Sequence, residues 1–201
     1  MFLIKNVAVY NPKAAERKID WKGLRKVLLN MNRLMKAPLV HKPAEILGFH
    51  LSRFNALFSK AFYVYIERDL LDVACSLANA RLFYYNDLNK WWGSYPTEYK
   101  KISGNTFDNQ IAGQVLYLQR MYDKQLVAFD SKKVVKISYC ELCKNPQRLI
   151  DDLRIKIADT AHYKLKQVNR PRPLKPSSPV IDKKIKALLE RSLHLLQSQP
   201  D

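Results

Sequence analysis

A chain of 201 residues, 47% of them hydrophobic, is long enough to bury one core of ordinary size and too apolar to be a disordered charged tail throughout. Its 35 Lys and Arg against 18 Asp and Glu leave a formal charge of +17, which favours a polyanionic partner: nucleic acid, anionic membrane, sulfated glycan or a nucleotide with several phosphates. Cys75, Cys140 and Cys143 make no disulfide framework, no apolar run reaches the roughly 18 residues of a membrane span, and Met-Phe-Leu-Ile-Lys is too short for a signal peptide, so the expectation is a soluble cytoplasmic protein.

Along the chain the hydrophobic period alternates. Leu24, Val27, Leu28, Met31, Leu34 and Met35 recur at helical spacing, and Ala37-Pro38-Leu39-Val40 then reads as a short buried strand. Leu47, Leu51, Phe54 and Phe58 form a second helical stripe. Phe62 to Ile66 has no polar alternation, as expected for a parallel strand covered on both faces. Asp69 is placed to cap the next helix, whose buried face is Val73, Ala74, Leu77 and Ala78. After an aromatic, polar stretch (83 to 105), Phe107, Ile111, Val115, Leu118 and Tyr122 mark a long helix. Val134 to Ile137 predicts another strand, and Pro146 starts a helix through about Ile157.

The composition then changes. Residues 164–179 combine Pro171, Pro173, Pro176 and Pro179 with Lys164, Lys166, Arg170, Arg172 and Lys175, an extended basic loop. Ile181, Ile185, Leu188, Leu189 and Leu196 predict a final amphipathic helix. The expected organisation is one domain over 1–163, the loop over 164–179 and the helix over 180–201. Alternating helices and strands make this an α/β chain with a mostly parallel sheet flanked by helices, and ligands of such sheets bind beyond the carboxyl ends of the strands.

At one such end stands Glu67-Arg68-Asp69, followed by Val73-Ala74-Cys75-Ser76. A guanidinium there can fork onto phosphate oxygens, helped by the amides of the following helix start. Ser76 lies seven residues after Asp69, close to two turns, so its hydroxyl shares that helix face. The simpler readings are an arginine paired with Glu67 or Asp69, and a serine bonded to the preceding turn.

The strand, Arg68-Asp69 and Ser76 eight residues after Arg68 together resemble the 3′-phosphate-binding element of PAPS-dependent sulfotransferases. Other segments follow in that family's order. Val40-His41-Lys42-Pro43 resembles a Lys-containing strand end, and Trp91, Trp92 and Pro96 to Tyr99 resemble a helical insert. Ile137-Ser138-Tyr139-Cys140-Glu141-Leu142 resembles the Tyr-Glu-Asp-Leu segment before a helix. Cys140 intrudes there, the Asp is absent, and Leu70 stands where the family has Pro. The resemblance spans about residues 24 to 157. It implies part of a P-loop-type three-layer fold and transfer of a sulfuryl group from PAPS to a hydroxyl or amine acceptor. It further implies that Arg68 and Ser76 hold the 3′-phosphate, Tyr139 the adenine, Lys42 the donor, with His41 as base, and that Arg170 and Arg172 of the basic loop close over the nucleotide.

The family's 5′-phosphosulfate sits in a Gly-rich strand–loop–helix, where free amides need glycine for close approach. Here Gly23, Gly48, Gly93, Gly104 and Gly113 stand apart, with no Gly-x-x-x-x-Gly-Lys. That element is expected upstream of residue 1 or on a partner chain, as in a truncated, split or degenerate copy, so transfer by this chain alone is not expected.

Other candidates have plainer readings. His50 interrupts an apolar stripe as a packing histidine does. Cys140-x-x-Cys143 matches zinc or redox spacing, but with no second ligand pair the plain reading is two part-buried thiols. Trp91, Trp92, Tyr95 and Tyr99 fit either an acceptor wall or core packing. The alternative function is a non-catalytic protein whose charge binds nucleic acid or another polyanion with steep salt dependence. A kinase-like transferase lacks both the Gly-rich loop and paired magnesium acids.

Overall fold

The computed structural model describes residues 14, 16–42, 48–161 and 171–198. Within them the order is α1 (Trp21–Met35), α2 (Leu51–Leu57), β1 (Tyr63–Glu67), α3 (Leu70–Tyr85), α4 (Tyr99–Ile102), α5 (Phe107–Val127), a 3-10 turn (Ser131–Lys133), β2 (Val134–Ser138), α6 (Tyr139–Lys144), α7 (Pro146–Ala161) and α8 (Lys183–Gln197). The local signals are conventional. Asp20, Asp69 and Asp182 each cap a helix by accepting from amides of its first turn. Lys36 and Asn86 end α1 and α3 in the left-handed region, both at φ 50°.

β1 and β2 form a two-stranded parallel sheet in the register Tyr63↔Val134 to Glu67↔Ser138. The crossover runs through α3, α4 and α5, so the protein is mixed helix and strand with helices flanking a parallel pair. Its core lies between helices rather than on the sheet. Ala74, Cys75 and Ala78 of α3 meet Ile111, Ala112 and Val115 of α5, and Leu189 and Leu193 of α8 close the triangle. Small residues on α3 let the three axes approach. Ser192 of α8 donates to Asp108 Oδ2 at 2.6 Å, tying α8 to the first turn of α5.

Two sequence expectations are corrected here. No strand forms over Ala37–Val40: the segment is irregular and Val40 is 97% exposed. β1 is a parallel strand but is not covered on both faces. Val135 and Ile137 of β2 are buried, whereas their register partners Val64 and Ile66 are 41% and 47% exposed. The cover on that face comes from α7, which packs on β2. The α1 stripe likewise forms its helix, yet Met31, Leu34 and Met35 stay exposed and Trp21 and Leu28 are the buried positions. The helix from Pro146 runs four residues beyond the expected Ile157, to Ala161.

A buried polar network that the hydrophobic pattern does not announce fixes the 86–98 loop. Arg81, fully buried, donates to Leu88 O (2.8 Å), Gln110 Oε1 (3.0 Å) and Gln114 Oε1 (3.1 Å). Gln114 passes the constraint on to Trp92 O and Ser94 O, and Gln110 to Ser103 O and Asn105 O. Burial pushes the guanidinium down to about 10, against the opposing pull of Asp87 and Tyr99.

Candidate functional site

Parallel pairing decides what meets at the carboxyl edge of the sheet. Because Glu67 and Ser138 are register partners, the next residues, Arg68 and Tyr139, leave neighbouring strands side by side. Arg68 precedes α3. Tyr139 is the first residue of α6, which Ser138 caps by accepting from Glu141 N at 3.1 Å. The Arg68 guanidinium carbon lies 4.5 Å from the Tyr139 ring centroid, a cation–π distance.

Neither simpler partner expected for Arg68 is the one found. Glu67 faces Lys136 at 4.0 Å, and Asp69 is occupied in capping Asp72 N. The nearest carboxylate is Asp72, one turn into α3, with Oδ2 3.6 Å from Nη2. The short contact is to the backbone: Nη2 donates to Ser177 O at 2.8 Å. Nε is buried and has no hydrogen-bond partner among the described residues. Tyr139 Oη and Ser177 Oγ are 3.2 Å apart.

Ser177 belongs to a strap, residues 171–182, that crosses the end of the sheet. Leu174 N donates to Cys143 O at 2.7 Å, and Asn79 Nδ2 donates to Val180 O at 2.9 Å. Ser76 is half-buried one turn before Asn79, so it lies on the α3 face along which the strap runs. The strap carries exposed Arg172 and Lys175 past this end. Arg170 lies outside the described residues.

The other sequence candidates fall elsewhere. His41 and Lys42 do not end a strand: they are exposed in the irregular segment after α1, so the expected strand-end placement of a base and a donor lysine is not found. His50 is buried edge-on against Trp21, ring centroids 5.7 Å apart, and burial lowers its pKa against the opposing pull of Glu16. Cys140 is exposed and Cys143 buried, so the two thiols are not alike, and no group of three metal-ligating side chains occurs among the described residues. Trp91 stacks on Tyr95 and meets Tyr99 edge-on beneath the Arg81 network, while Trp92 stacks on exposed Tyr84.

Sequence reasoning brought forward Arg68, Ser76 and Tyr139 but missed Ser177 and Asn79. No motif marks them, because their roles come from where the strap lands. The arrangement offers an oxyanion a part-buried guanidinium edge engaged at Nη2 alone, with the Tyr139 hydroxyl beside it. A scan of protein-family models, a search of curated proteins and a search of solved structures each returned no match.

Proposed function

We propose that this chain binds the 3′-phosphoadenosine end of the nucleotide sulfate donor PAPS, in service of sulfuryl transfer to a hydroxyl or amine acceptor. The reading is carried by one observation: Arg68 and Tyr139 stand together at the carboxyl edge of the parallel pair, 4.5 Å apart. Arg68 would hold the 3′-phosphate through Nη2 and the partnerless Nε. Tyr139, one ring face turned to Arg68, would take the adenine on the other. Ser76 adds a neutral donor from α3, and Arg172 adds positive charge from the strap.

When bound, PAPS supplies an activated sulfuryl group on a phosphate leaving group. The residues described here bind and orient the far end of that donor. The isolated glycines of the sequence make no cradle for the phosphosulfate, and exposed His41 and Lys42 give no enclosed base, so the function proposed for the chain itself is nucleotide binding.

Calorimetric titration with 3′,5′-ADP tests the reading. Arg68→Ala should weaken binding by roughly tenfold to a hundredfold, the usual value of hydrogen bonds to a charged group. AMP, lacking the 3′-phosphate, should bind far less tightly. Equal affinity of wild type and Arg68→Ala would sink the site. The charge of +17 favours a second reading, general polyanion binding. That reading predicts affinity for any nucleic acid that falls steeply with salt and ignores Arg68→Ala.

A further inference from the structure

Between Pro171 and Val180 the strap is held almost entirely by its backbone. Leu174 and Val180 are 68% and 91% exposed and anchor nothing with their side chains. Among the described residues the ties are Leu174 N to Cys143 O, Arg68 Nη2 to Ser177 O and Asn79 Nδ2 to Val180 O, with Ser177 Oγ on Tyr139 Oη added from a strap side chain. Pro171 and Pro179 are half-buried and Ile181 packs on the core, but the ties between them are exposed hydrogen bonds, individually weak, so the segment between these ends exchanges readily.

The central tie is also incomplete. A guanidinium presents Nε–H and Nη2–H along one edge, spaced for two oxygens of a single anion. On Arg68 that edge is half used: Nη2 reaches the Ser177 carbonyl, while Nε is buried without an acceptor. Asp72 does not complete it, lying 3.6 Å from Nη2. A peptide carbonyl brings one oxygen and no net charge, whereas a tetrahedral oxyanion brings both oxygens and the charge.

The geometry points to a latch: the Ser177 carbonyl is a one-oxygen placeholder on Arg68, and a phosphate displaces it, freeing residues 174–180 from the end of the sheet. This rests on the Arg68 site proposed above and adds its regulation, because the chain competes with its own ligand. Apparent affinity is then the intrinsic affinity reduced by the fraction of molecules with the strap open.

Two substitutions loosen the strap without removing the anion's partners. Asn79→Ala deletes the tie to Val180, and Ser177→Ala deletes the tie to Tyr139 while keeping the carbonyl. In the full chain each should bind 3′,5′-ADP about three- to tenfold more tightly than wild type, as expected for a larger open fraction. Hydrogen exchange of the Leu174 amide, which donates to Cys143 O, followed in the 171–178 peptide, should rise on saturation with 3′,5′-ADP and stay unchanged with AMP. Unchanged or weaker affinity in both variants, or protection of that peptide on binding, overturns the latch while Arg68-dependent binding leaves the site standing. Absence of 3′,5′-ADP binding in wild type and both variants overturns the latch and the site together.

Discussion

Tyr139 lies with its ring 4.5 Å from the Arg68 guanidinium because both residues sit one step beyond the same register pair, Glu67 and Ser138, of a parallel sheet. A crossover of three helices separates them in the chain, and the pairing alone brings them together. Arg68 pairs through Nη2 with Asp72 at 3.6 Å and bonds Ser177 O, so Nε is the donor it keeps unengaged among the described residues.

Arg68→Lys separates charge from geometry. Lysine keeps the positive charge but has no two-donor edge and stacks less well on Tyr139. It should weaken 3′,5′-ADP binding about tenfold, nearer to Arg68→Ala than to wild type. Titrations at two salt concentrations check the cause: the loss should persist at high salt, since a part-buried fork is screened less than an exposed charge.

The legible parts of the fold were those that local chemistry controls. Both strands, the Asp69 cap and the α3, α5 and α8 stripes follow from period and capping, and the helix–strand alternation gives a parallel pair. What failed were statements about cover. Val64 and Ile66 share the apolar run of a fully buried strand, yet burial depends on which helix lies above each strand, and α7 lies on β2. Val40 shows the same limit, since an apolar run near Pro38 has the letters of a strand without a neighbour to pair with. Arg68 and Tyr139 were visible because each ends a strand. Ser177 was not, since nothing in a proline-rich loop states where it will cross.

Arg81 provides a stability test independent of any ligand. Replacing it with Met removes the donor shared by Leu88 O, Gln110 Oε1 and Gln114 Oε1, and leaves buried acceptors unpaired. The expected loss is about 3 kcal/mol in urea unfolding, from roughly 1–3 kcal/mol per stranded group with partial relaxation. The near-ultraviolet signal of Trp91, which the guanidinium faces at 5.1 Å, should change in the folded variant. A loss under 0.5 kcal/mol would mean that the network does not hold the 86–98 loop.

On the acid side, stability should depend on pH through His50 and Asp108, both held below their ordinary values. Burial depresses His50 below 6.5, so the unfolded chain takes up its proton first. Its contribution is complete above pH 6.5 and is lost as pH falls below that value toward the folded pKa. Burial alone would raise Asp108, but hydrogen bonds from Ser192, Thr106 and backbone amides outweigh it and hold its pKa below 3.8. Its contribution is therefore present above pH 3.8 and lost below. His50→Phe, which keeps an aromatic edge toward Trp21, should flatten the fall in melting temperature between pH 7 and 5.5 by roughly 2–4 °C. Ser192→Ala should leave that window unchanged and alter the fall below pH 3.8.

The three thiols should react in an order set by burial. Cys75 lies in the α3–α5–α8 core, where burial raises its pKa against the opposing effect of Lys186, and little thiolate forms. Cys143 is buried too, and its carbonyl holds Leu174 of the strap. Cys140, beside Tyr139, is exposed. Brief iodoacetamide treatment of the folded protein should therefore modify one cysteine, and peptide mapping should place it at residue 140, with all three modified in urea. Equal labelling of Cys140 and Cys143 in the folded state would mean that α6 opens as a unit. Because α6 begins at Tyr139, such opening would also dissolve the contact with Arg68, so the labelling ratio reports whether that contact persists in solution.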